Sequence, residues 1–177
     1  MTDYVATAAA DPDPSALKSS VAPIEQEWKA IADAVTAQSL SAKESYTRHT
    51  ALVASTLRLL DRSLDHYGPS LDPDAESSFL ISAIYQQMPH LSEGMGQARV
   101  KGAGMLAAKR AAVDERVAIS AIAERAKERL DNVAAQIAKA QASDPGLKDK
   151  LATAAADAAA QAQSAFELTQ REVMRRT

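Results

Sequence analysis

Aliphatic residues return every three or four positions through most of this chain, and that spacing leaves little choice of fold. Leu17, Val21, Ile24, Trp28, Ile31 and Val35 form one such stripe, and Tyr46, Thr50, Val53, Leu57, Leu60, Leu64 and Tyr67 form a second. Steps of four and three place each set on one face of an α-helix. The first stripe predicts a helix over 15–38, with Trp28 as a core or interface anchor. The second predicts a helix over 41–68, opened by a capping box between Ser41 and Glu44. At 1.5 Å per residue that second helix is roughly 40 Å long and needs long neighbours. Strand signals are missing: only 4% of residues are aromatic and runs of Val, Ile and Thr do not occur. The predicted class is all-α, an elongated up-and-down bundle of four to five long helices, with an apolar content of 46% that suffices for a core.

Proline and glycine divide the pattern. Asp11-Pro12-Asp13-Pro14 disfavours helix before it, so residues 1–14 are expected to be a flexible lead and 15–177 one helical domain. Pro23 inside the first stripe predicts a kink or a later start near Val21. Tyr67-Gly68-Pro69 ends the second helix, and a third is expected from Asp72 as cap with Pro73 in the first helical position. Its face is Leu80, Ile84, Met88, Leu91 and Met95, interrupted by Pro89, which frees a carbonyl near Tyr85. Gly94, Ala98 and Gly102, four apart, let another backbone approach closely. A turn near Lys109-Arg110, with Asp114 as the next cap, precedes a stripe of Ile119, Ile122, Ala126, Leu130, Val133 and Ile137. Ser143-Asp144-Pro145-Gly146 then breaks the chain before a last helix over 145–175, with Leu147, Leu151, Ala154, Ala158, Ala165, Leu168 and Val173 inward.

Most chemistries find no support in these residues. Twenty Lys and Arg against twenty-three Asp and Glu give a net charge of −3 with no basic block, so nucleic acid is not expected as a partner. The absence of cysteine removes thiol catalysis and zinc–thiolate sites. His49, His66 and His90 lack the spacing of a metal site, and Asp72, Asp74 and Glu76 lack the glycine and distal glutamate of a calcium loop. Without a phosphate loop or a nucleophile elbow, neither an enzyme nor a cofactor is expected.

Four segments carry a resemblance: Leu71-Asp72-Pro73-Asp74, Ser78-Phe79-Leu80, Met88-Pro89-His90-Leu91 and Arg99-Val100-Lys101-Gly102. In this order and spacing, over Asp65 to Leu106, the chain resembles the extracytoplasmic helical sensory region of bacterial methyl-accepting chemotaxis proteins. Related regions occur in some sensor kinases and cyclic-nucleotide-signalling receptors. The chain departs from the pattern at Tyr67 and Pro69. The resemblance implies a homodimeric periplasmic bundle of an inner-membrane receptor, anchored by membrane helices on either side that this chain lacks. Its partner would be a small-molecule ligand such as a carboxylate, and its output a helix displacement.

Pairing a carboxylate needs cationic forks, with hydroxyl or aromatic groups to orient the rest. Arg99, Lys101, His90 and Tyr85 on the third helix, with Arg58 or Arg62 on the second, are the candidate ligand-binding residues. Two other readings fit the same helices: a docking domain for a periplasmic binding protein or a passive spacer, and a soluble helical scaffold such as a granule-associated protein.

Overall fold

The computed structural model describes residues 15–67, 74–109 and 112–176. Every regular element among them is helical, as the stripes predict. The chain divides into two compact units, Met1–Gly68 and Pro69–Thr177. The expected lead 1–14 and the expected cap at Asp72 and Pro73 lie outside the described residues.

The first unit is a hairpin of α1 (Ser15–Thr36) and α2 (Ala42–Tyr67). Pro23 is tolerated inside α1, which starts at Ser15 and not near Val21. The turn closes with Gln38 in the left-handed region, φ 52°, while the Ser39 amide donates to the Ala34 carbonyl at 3.0 Å. At the start of α2 the Ser41 amide donates to Glu44 Oε2 at 3.0 Å and the Glu44 amide to Ser41 Oγ at 3.2 Å. That reciprocal pair satisfies two amides the helix itself cannot. Hydrogen bonds from Ser41 hold the Glu44 carboxyl below the ordinary glutamate range.

Leu17, Val21, Ile24, Ile31, Leu52 and Leu59 form the hairpin core. Each such side chain contributes about 1.5–3 kcal/mol by leaving water. Trp28 is 56% exposed, so it is no core anchor of this chain, and Val35 is likewise exposed. On α2 the buried residues are Leu52, Leu59 and Leu64, whereas Val53, Leu57 and Leu60 of the predicted stripe are only half-buried. Five leucines in thirteen positions cover more than one face, and a single neighbouring helix can bury only part of them.

The second unit starts with α3 (Ala75–Ile81), preceded by Asp74 in extended conformation, whose side chain makes no capping bond. A π-helical segment, Ser82–Gln87, joins it to α4 (Met88–Ala108). Here the Met88 amide donates five residues back to the Ala83 carbonyl. A proline ring collides with the carbonyl four residues before it, and a widened turn ahead of Pro89 relieves that clash. The extra residue in the turn makes the inward face lag by one, so Ala83 is fully buried while Ile84, the predicted position, is exposed.

Lys109, φ 51°, ends α4, and α5 (Val113–Ser143) follows. Ala112, extended, stands at the cap position in place of the predicted Asp114. It has no side-chain acceptor, so only the return half of a capping box forms, with the Ala112 amide donating to Glu115 Oε2 at 2.9 Å. The predicted α5 stripe holds: Ile119, Ile122, Ala126 and Val133 are buried. Asp144 closes the next break, its Oδ1 accepting from the Gly146 amide at 2.8 Å where α6 (Gly146–Arg176) begins.

Small residues set the spacing in this unit. A Cβ added at Gly94 would stand 3.0 Å from the Ala126 Cβ, so α4 and α5 are close neighbours there. Ala98, Met105, Ile119 and Ile122 continue the contact as one cluster. Phe79 lies under Lys139, Gln87 meets Arg129 and Gly94 meets Ala126. One number rises as the other falls, so α3–α4 runs antiparallel to α5. On α6 the buried position is Ala162, with Leu151, Ala155, Ala159 and Phe166 half-buried, whereas the predicted Ala154, Ala158 and Leu168 are exposed. The side chain of Val173 lies outside the described residues.

Candidate functional site

Each unit carries clefts, and the polar groups on them are used differently. In the hairpin a cleft of about 460 Å³ runs between α1 and α2 beside Pro23. Three arginines line it, and all are engaged. Arg48 Nε donates to Glu27 Oε1 at 2.9 Å, Arg62 Nη1 to Ser20 Oγ at 2.9 Å, and Arg58 Nη2 to Ser55 Oγ at 2.9 Å. Two of these bonds cross from one helix to the other. Their local effect is to fix the register of the hairpin.

In the second unit a cleft of about 620 Å³ opens between α4 and α6. Its α4 wall holds Met95, Gly96, Arg99, Gly102 and Leu106, and its α6 wall holds Ala165, Phe166, Leu168 and Thr169. It exists because Gly96, Gly102 and Ala103 face α6 with almost no side chain, so the two helices leave a trough. A Cβ added at Gly96 would meet nothing within 4 Å. The wall is mostly apolar, and among the described residues the guanidinium of Arg99 is its one charged group. Arg99 is exposed and makes no hydrogen bond or ion pair with any described residue. Thr169 Oγ1 is turned back onto the Ala165 carbonyl at 2.9 Å.

A third, smaller cleft of about 260 Å³ lies where the π-helical segment crosses α5, lined by polar residues from both. Sequence reasoning did not pick out this place beyond the irregularity at Pro89.

The candidate residues therefore separate. Arg58 and Arg62 belong to the hairpin cleft and Arg99 to the cleft beside α6. His90 and Lys101 are half-buried on α4 and have partners within the protein. Tyr85 is half-exposed in the π-helical segment. None of these three lines the clefts described. Phe166 and Thr169 went unnoticed in the sequence, because the alanine tract around them hides which side of α6 faces inward. Among the described residues no group of three or more His, Asp or Glu is placed to hold a metal, and no helix is long and apolar enough to cross a membrane.

Comparison with known protein families, with curated proteins and with solved structures returns no match.

Proposed function

We propose that the chain is the ligand-binding sensory region of a bacterial transmembrane receptor of the chemotaxis type. In this reading the helices form an up-and-down bundle outside the inner membrane, and a carboxylate with an apolar body binds in the cleft beside Arg99. One observation carries it: an unpaired guanidinium at the edge of an apolar cleft whose far wall is the last helix. The Arg-x-x-Gly segment of the family resemblance supplies Arg99 and Gly102, both on that cleft.

The physics of such a site is simple. The planar fork of Arg99 accepts a carboxylate through two parallel N–H bonds. The body of the ligand then displaces water from Met95, Leu106 and Phe166. Because one wall is α6, a ligand that fits one setting of α6 better than another shifts that helix. About 1–3 kcal/mol of differential affinity is enough to bias a two-state receptor. No group on this cleft is arranged to move a proton or attack a bond, so binding is what it offers.

A thermal-shift screen of the chain against benzoate, 4-hydroxybenzoate, isovalerate and their neutral amides tests the site. A ligand at about a hundredfold over its Kd adds about 2.7 kcal/mol to stability. The acids are expected to raise the melting temperature and the amides not, and Arg99→Ala is expected to erase the rise while Arg99→Lys keeps part of it. A flat response to every acid, or a rise that Arg99→Ala leaves intact, would defeat the reading.

A further inference from the structure

The small cleft at the π-helical segment has a composition found nowhere else among the described clefts. Ser78, Ser82 and Gln86 descend along one side, Gln136 and Lys139 come from α5, and Phe79 forms part of the wall. Ser78, Ser82, Gln86 and Gln136 are half-buried, and none of their side chains hydrogen-bonds to a described residue. Some helical hydroxyls elsewhere use a local acceptor, although others, such as Thr50, Ser77 and Ser120, do not. The hydroxyls of Thr36, Thr47, Ser55, Thr56, Ser63 and Thr169 all fold back onto the carbonyl four residues earlier. At the cleft this local option is left unused, and the hydrogen-bonding capacity of four side chains stays open toward one space.

The electrostatics are equally one-sided. Among the described residues no carboxylate lines the cleft, and the only charge there is Lys139, whose Nζ lies 5.6 Å from the centre of the Phe79 ring. Two hydroxyls, two amide NH₂ groups and one ammonium make a donor-rich set. Its complement is a small anion that carries further acceptors. At about 260 Å³ the space falls below that of drug-sized ligands but holds a molecule of three or four carbons. π-Helical turns recur at functional sites, and here the widened turn brings Ser82 and Gln86 to the cleft.

We propose that this cleft binds a small hydroxy- or keto-carboxylate, with the carboxylate on Lys139 and the hydroxyl or keto oxygen on Gln86, Gln136 and the serines. The site is separate from the cleft beside Arg99 and does not depend on it. It takes a polar acid where the other takes an apolar one.

Isothermal titration of the full chain with glycerate tests the assignment, with propionate as a control of equal length and charge that lacks the hydroxyls. Glycerate is expected to bind saturably with one site and propionate at least about tenfold more weakly. Lys139→Gln should weaken glycerate by about tenfold, the loss of one charge-assisted hydrogen bond, and Lys139→Arg should restore most of it. Gln136→Leu should weaken it severalfold, and Arg99→Ala should leave it unchanged. Lys139 is exposed on its helix, so its variants are expected to keep full helicity by circular dichroism, and Gln136→Leu gives a second, uncharged probe. Absence of saturable glycerate binding would overturn the site, as would binding that Lys139→Gln leaves within about twofold. Binding lost in Arg99→Ala but kept in Lys139→Gln would also overturn it, while leaving the cleft beside Arg99 standing.

Discussion

The hairpin and the second unit spend their polar groups in opposite ways. In the hairpin, Arg48 is tied to Glu27 and Arg62 to Ser20 across the helix pair, above a core of branched and long aliphatics. In the second unit, α4 and α5 approach through Gly94, Ala98 and Ala126, close enough that packing fixes their register. Arg129 still donates to Gln87 Oε1 across this unit, but four polar side chains there are free of such duty: Arg99, Gln86, Gln136 and Lys139 face open clefts with no carboxylate or carbonyl of a described residue to hold them. Where small residues position the backbone, charged residues become available for ligands. A half-exposed ion pair such as Arg48–Glu27 contributes on the order of 1 kcal/mol, so its use in the hairpin concerns register more than stability.

Three sets of substitutions probe this contrast on the stability side. The largest effect is expected in the two cores. Ile31 is 1% exposed and Ile119 fully buried, and truncation of either to alanine should cost about 2–5 kcal/mol. The hairpin can close around the loss with only one helix to move, so Ile31→Ala is expected at the lower end and Ile119→Ala at the upper end in urea denaturation. The reverse order would break the comparison.

Glycine replacements come next. At Gly104 an added Cβ meets nothing within 4 Å, so Gly104→Ala should gain up to about 1 kcal/mol of helix propensity. At Gly94 the same Cβ would press on Ala126 at 3.0 Å, and the gain should vanish or reverse. Equal stabilisation at both positions would mean that α4 and α5 are not held by close approach there.

The smallest effect belongs to the Ser41–Glu44 cap. The folded carboxyl titrates below its unfolded value, so its contribution is present above the ordinary glutamate range and is lost as pH falls through the folded value. Protection of the Ser41 and Glu44 amides, measured against free-chain exchange at the same pH, should fall in acid, and Ser41→Ala should weaken that pH dependence to the part the backbone amide carries. No change in acid would show that the box leaves the end of α2 unprotected.

How much of this could be read in advance depended on contrast between neighbouring residues. In α5 the large aliphatics Ile119, Ile122 and Val133 stand among charges, and the predicted face is the buried one. In α6 the predicted Leu147, Leu151 and Ala165 are half-buried, but alanines occupy 154 to 156 and 158 to 160, and within that tract the predicted phase is off by one. α2 has the opposite difficulty, with leucines enough for two faces. The π-helical segment escapes a template built on 3.6 residues per turn, although Pro89 marks where it ends. For the sites, Arg99 was reachable from the glycines around it. Its separation from Arg58 and Arg62 needed the division into two units. The cleft at Gln86 and Lys139 was invisible because serine and glutamine, scattered along helices, look like ordinary solvent-facing residues.

The exposed indole of Trp28 has a consequence for spectroscopy. It is the single tryptophan of the chain, it lies on α1, and more than half of it meets water. Its emission is expected to be that of a wet indole placed in the hairpin unit. The two clefts proposed for ligands are both in the other unit. A carboxylate that binds in either cleft and shifts this emission is therefore bound in one unit and read in the other, so one fluorimeter trace separates occupancy from communication.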